Sequence, residues 1–132
     1  MKIHRIDHVG IIVNATKAFF LDLGLEVLGE TEVNGEWVER IIGLNDVKET
    51  VVMLGMPEGQ TTVELVKFHT PTDEKGIQQS SANTLGIRHI AFAVEDIEAV
   101  VAKLKKNGAE LVGEIQNYKN AYEPLITKVT SF

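Results

Sequence analysis

The 132-residue chain contains no cysteine. Disulfides, thiolate metal sites and cysteine nucleophiles are thereby excluded, and any metal must be held by nitrogen and oxygen from His, Asp and Glu. Basic residues are few, 13 against 19 acidic ones, for a net charge of −6, and the densest basic group is only Lys103, Lys105 and Lys106. Such a surface repels phosphate backbones, so nucleic acid is not an expected partner. Long apolar runs are absent too. The longest, residues 51–56, falls far short of the roughly 20 residues of a membrane-spanning helix. The amino-terminal stretch lacks the apolar region of a secretory signal, which makes the cytoplasm the expected location. There is no G-x-G-x-x-G and no phosphate loop, and Ser80 and Ser81 lack a nucleophile-elbow setting. What remains is a chain with 44% apolar residues, enough to bury the core of one domain or of two half-size modules.

An internal repeat organises that chain. Ile6-Asp7-His8-Val9-Gly10-Ile11-Ile12-Val13 overlays Ile87-Arg88-His89-Ile90-Ala91-Phe92-Ala93-Val94, with the histidines 81 positions apart. Gly24-Leu25-Glu26-Val27-Leu28-Gly29-Glu30 overlays Gly108-Ala109-Glu110-Leu111-Val112-Gly113-Glu114 at a spacing of 84. The first copy is therefore three residues shorter between its histidine and its glycine.

In the second copy Ile97, Val100, Val101 and Leu104 follow the i, i+3, i+4, i+7 spacing of a helix with one buried face. Asp96 suits its amino-terminal cap, Lys103, Lys105 and Lys106 its negative end, and Gly108 its left-handed stop. The first copy offers a short helix over 15–23, between Asn14 and Gly24. β-branched runs bounded by glycine, proline and polar clusters predict strands over 6–13, 25–33, 37–44, 47–56, 61–68, 85–94 and 109–115. Asn45-Asp46 and Pro57-Glu58-Gly59-Gln60 read as hairpin turns, which makes the sheet mostly antiparallel. The polar stretch 69–84 reads as a linker between the copies.

Side chains alternate along a strand. His8 therefore shares a face with Ile6, Gly10 and Ile12, and His89 with Ile87, Ala91 and Ala93. If helices pack on the bulkier Val/Ile/Phe faces, both imidazoles project from the other side. Glu64 shares its face with Thr62, Val66 and Phe68, an acid amid apolar neighbours. A buried carboxylate is costly unless a cation compensates it. Two imidazoles and one carboxylate with open positions suit Zn, Ni, Co, Mn or Fe(II). Residue by residue, a structural histidine or an edge-strand acid beside Lys67 is the plainer reading; the repeat, which returns histidine to an equivalent strand position, favours the metal. His4, near the terminus, and His69, in the linker, read as solvated. Trp37 and Phe68 read as core residues that could also line a pocket.

These segments resemble the vicinal oxygen chelate superfamily, which includes glyoxalase I, extradiol dioxygenases, methylmalonyl-CoA epimerase and bleomycin-resistance proteins. The likeness rests on Asp7-His8-Val9-Gly10-Ile11, Phe19-Phe20-Leu21-Asp22-Leu23-Gly24-Leu25-Glu26-Val27, Val63-Glu64-Leu65, Gly86-Ile87-Arg88-His89-Ile90-Ala91-Phe92-Ala93-Val94-Glu95-Asp96-Ile97, and Leu104 with Gly108-Ala109-Glu110-Leu111. It implies an α+β fold of paired βαβββ modules in a cupped, mostly antiparallel sheet: a first module over 1–68, the linker 69–84, and a second module over 85–132 shortened at its carboxyl end. It also implies His8, Glu64 and His89 as ligands of a divalent metal. The family's last strand carries a further acidic ligand that also serves as a base; here 115–132 holds one plausible strand, 125–132, and one acid, Glu123. The leading expectation is a glyoxalase-type, lactoylglutathione lyase-like enzyme acting on a small substrate with neighbouring oxygens, with Glu64 as ligand and base. The alternatives are an Fe(II) ring-cleaving dioxygenase and a metal-free small-molecule binding or resistance protein. The sheet edge exposed by the shortened module makes a homodimer the expected assembly.

Overall fold

A computed structural model describes residues 1–14, 17–78, 81–118, 121–122 and 126–128. The chain divides into one unit spanning Met1–Glu74 and a second that begins at Lys75.

The first unit runs β1 (His8–Ile12), α1 (Ala18–Asp22), β2 (Glu26–Asn34), α2 (Glu36–Ile42), β3 (Lys48–Gly55) and β4 (Thr62–Thr70). Its sheet has the order β1-β4-β3-β2, with β1 parallel to β4 and the other pairs antiparallel. The 57–60 turn joins β3 to β4, closed by Gly59 N–H donating to Met56 O at 3.1 Å. Direct register partners share a face, so Val9 and Ile11 line up with Val63 and Leu65, and these in turn with Leu54 and Val52. All but Val9 and Ile11 are buried, Leu54 completely. The helix α1 lies on this side: Lys17, at its start, pairs at 3.0 Å with Glu30, which stands opposite Val52. Phe20 is its buried residue, and the Phe19 and Phe20 rings meet edge to face at 5.2 Å. Lys17, not Asn14, holds the cap position, and its side chain makes no capping bond.

Residues 37–44 are expected as a strand, but the chain from Glu36 to Ile42 forms the helix α2. Tryptophan and β-branched residues favour a strand locally, but glycines with positive φ bracket the segment: Gly35 opens it and left-handed Gly43 closes it. Glu36 and Glu39 sit at the electropositive amino end and Glu36 pairs with Arg40 one turn on at 3.0 Å. Glu39 then accepts hydrogen bonds from the Asp46 and Val47 amides, so Asn45-Asp46 joins a helix to β3 and closes no hairpin. Only Val38 is buried; Trp37 is 60% exposed. The end of β4 also absorbs His69, whose Nε2 lies 2.7 Å from Thr50 Oγ1 and 3.8 Å from Glu32, so it belongs to a strand network and not to the linker.

In the second unit the helix α3 (Ile97–Lys106) is as the spacing predicts, with the Asp96 carboxylate accepting the Ala99 amide at 3.0 Å. The short strand β5 (Glu110–Leu111) pairs antiparallel with β8 (Ile126–Lys128), and β6 (Asn117–Tyr118) pairs with β7 (Ala121–Tyr122). The expected strand 125–132 lies partly outside the described residues. Residues 85–94 form no strand, and 81–91 are exposed throughout. A strand persists only where a neighbour takes up its amides and carbonyls, and the described ladders of this unit are at most three residues long.

The repeat is most faithful at the helix stops. After α1, Gly24 (φ 101°) donates to Leu21 O at 3.0 Å and Leu25 to Phe20 O at 3.1 Å. After α3, Gly108 (φ 97°) donates to Lys105 O at 3.1 Å and Ala109 to Leu104 O at 2.9 Å. Both are Schellman motifs, and in both the two residues linked by the bond that spans five positions, Phe20 with Leu25 and Leu104 with Ala109, are buried. Each is followed two residues after its glycine by a strand, at Glu26 and Glu110. As a test of the core, Leu54→Ala should cost about 2–5 kcal/mol, seen in urea unfolding as a lower midpoint at unchanged slope.

Candidate metal-ligand site on the sheet

The parallel pairing of β1 with β4 sets His8 opposite Thr62 and Gly10 opposite Glu64. All four therefore lie on the side of the sheet away from α1. His8 Nε2 comes to 3.8 Å from Glu64 Oε2. Between them Gly10 presents no side chain; a Cβ there would stand 3.9 Å from Glu64 Oε1. The entry to β1 is pinned by backbone acceptors: Thr62 N–H donates to Asp7 O at 3.0 Å and Thr61 Oγ1 to Ile6 O at 2.8 Å.

Asp7 Oδ2 lies 2.9 Å from His8 Nδ1, and Arg5 holds the other carboxylate oxygen at 3.0 Å. That bond raises the pKa of His8 above its ordinary 6.5, against partial desolvation and with help from Glu64. Asp7 is lowered below 3.8, first by His8 and then by Arg5. In neutral histidine the Asp7 bond keeps the proton on Nδ1 and leaves the Nε2 lone pair toward Glu64, the arrangement that orients metal-binding imidazoles. Two ligands about 2.1 Å from one ion stand roughly 3.0–3.6 Å apart, close to the observed pair. The imidazole and carboxylate thus fit a divalent cation that favours nitrogen and oxygen.

His89 belongs to the second unit, exposed and outside any strand. Among the described residues no group of three or more His, Asp or Glu side chains is gathered to hold a metal. Glu123 lies outside the described residues. Phe68 is half-buried on the Glu64 face, whereas Trp37 projects from α2.

Two residues escaped the sequence reading. Strand alternation sets Asp7 on the face opposite His8, but β1 begins only at His8, so Asp7 is free to turn back onto the imidazole. The Asp-His adjacency was the available signal; the other copy has Arg88 at that position. Glu49 on β3 is the only charged residue buried among those described. Its signal was an acid alternating with Val51 and Met53.

Comparison with known proteins identifies the lineage. The model of the glyoxalase/bleomycin resistance protein/dioxygenase superfamily matches residues 5–122. The uncharacterized protein YaeR of Escherichia coli (strain K12) is 30% identical over 112 residues, 80% of this chain and 73% of that one. A glyoxalase family protein from Bacillus cereus is 37% identical with a TM-score of 0.85 over 96% of this chain and 86% of its own. Another from Enterococcus faecalis is 25% identical with a TM-score of 0.60, covering 96% and 90%. The chain belongs to the glyoxalase/bleomycin resistance protein/dioxygenase superfamily.

The Asp7–His8 bond has a pH signature. A raised histidine pKa contributes stability that is complete below 6.5 and lost as pH rises through the raised value. The lowered Asp7 contributes above 3.8 and is lost as pH falls through its own value. The bond therefore stabilises most between those two limits, and only slightly, because both groups are exposed. In metal-free protein, Asp7→Asn should move the His8 titration followed by NMR down toward 6.5; an unmoved curve would show the contact is not made in solution.

Proposed function

We propose that, within this superfamily, the protein is a metal-dependent enzyme of glyoxalase, lactoylglutathione lyase-like type, acting on a small substrate through two neighbouring oxygens. The observation that carries this reading is the Asp7–His8–Glu64 constellation, in which one acid orients an imidazole whose other nitrogen faces a second acid. His8, Glu64 and His89 are the proposed ligands of the ion. When bound, a divalent ion such as Zn, Ni, Co, Mn or Fe polarises the substrate oxygens and stabilises negative charge that develops on them. Glu64, its side chain 28% exposed, has an oxygen free to take a proton from the carbon beside the carbonyl. Asp7 holds the imidazole ring against rotation. Val51, Met53 and Val66, on the same side of the sheet, offer an apolar floor for the substrate body. The working form is proposed as a cytoplasmic homodimer; no described helix is long and apolar enough to cross a membrane.

A metal-free sequestering protein of the same fold is the second reading, favoured by the apolar residues Val51, Met53 and Val66 on the Glu64 side of the sheet. Elemental analysis and Co(II) titration separate the two. The enzyme reading expects about one ion per chain, with His8→Ala, Glu64→Ala and His89→Ala each weakening it, and Asp7→Asn costing about 10–100-fold in affinity. Substoichiometric metal with a melting temperature indifferent to chelator would favour sequestration. Full metal content in His89→Ala would remove that residue from the ligand set.

A further inference from the structure

Glu49 is 7% exposed, and nothing in the described fold uses its charge. On β3 it stands directly opposite Phe68 of β4 and Val33 of β2, so its side chain shares their face. Among the described residues no hydrogen-bond donor or cation meets its carboxylate, whereas its neighbour Thr50 is bonded to Glu32 and near His69. Burial, and then the charge of Glu64, push its pKa above the usual 4.5. No fully buried side-chain oxygen or nitrogen among the described residues lacks a partner, so the Glu49 carboxylate, which has no partner among them, keeps an opening to solvent through which a ligand can reach it.

Its place on the sheet suggests what it awaits. Met53 opposes Glu64, Val51 opposes Val66 and Glu49 opposes Phe68, so the His8–Glu64 pair, an apolar middle and Glu49 follow one another along a single face. The four residues from Glu64 to Phe68 span about 13 Å at 3.3 Å per residue. The ring of Phe68 beside Glu49 suits a cation as well as an apolar group.

We propose that Glu49 recognises the far end of the substrate, binding an ammonium group that an apolar spacer joins to the neighbouring oxygens engaged at His8 and Glu64. This names the substrate class and rests on the chelation reading above. A cation there would supply the charge-assisted hydrogen bonds that the fold withholds from Glu49.

Two catechols test it on divalent-loaded protein by calorimetry: dopamine, with an ammonium tail, and 4-ethylcatechol, without one. The wild type should bind dopamine at least tenfold more tightly, and Glu49→Gln should abolish that preference. Equal affinities in the wild type would overturn the role of Glu49 while leaving chelation standing. Binding of neither would instead count against chelation, and phenethylamine with metal-free protein then decides for Glu49: retention by wild type and loss in Glu49→Gln supports the role, and no difference overturns it. Glu49→Leu gives a readout independent of any ligand. Replacing this little-exposed acid, which has no partner among the described residues, by an apolar residue should raise the melting temperature by at least about 2 °C, and a fall would show that the carboxylate is structural.

Discussion

The pairing of β1 with β4 is the constraint on which the candidate site depends. A strand that begins at His8 and runs parallel to Thr62–Thr70 has one register in which its apolar residues meet Val63 and Leu65. Slipping it by one residue would turn Val9 and Ile11 away from the core. The same register that satisfies the core brings an imidazole and a carboxylate together on the opposite side. Packing energy spent on one face thus positions the polar groups of the other, and neither His8 nor Glu64 need supply the energy of its own placement.

Much of this was legible in the sequence for the same reason. Alternation groups His8 with Ile6, Gly10 and Ile12 and Glu64 with Thr62, Val66 and Phe68, the faces the structure shows, and the spacing of Ile97, Val101 and Leu104 with Asp96 before them marks α3. Where the reading failed, a local rule lost to its surroundings. Trp37, Val38, Ile41 and Ile42 carry strand preference, but glycines at 35 and 43 and the reach of Glu39 to the following turn make a helix. Asp7 was set on the wrong face because alternation holds only inside a strand, and it stands one residue outside. Residues 85–94 have strand composition, yet composition supplies no neighbouring ladder.

The two copies have therefore diverged unevenly. Their helix stops keep the same hydrogen bonds, the same left-handed glycine and the same buried pair, because a chain reversal admits few substitutes. Their opening strands do not correspond in structure: one is the edge of a four-stranded sheet, the other irregular and exposed. Asp7 and Arg88, at equivalent positions before the two histidines, carry opposite charge, so whatever symmetry the repeat began with, only His8 now has an acidic neighbour to steady it.

Gly10 is not held by backbone strain, since its φ is not among the positive ones. Its lack of a side chain instead leaves room above the strand for Glu64. A methyl group there would touch the carboxylate without displacing it, shedding water from one oxygen; a branched side chain would push the acid aside. Position 10 therefore works as a hydration valve, through which descendants of this fold can adjust the water around the acid while leaving His8 and Glu64 untouched.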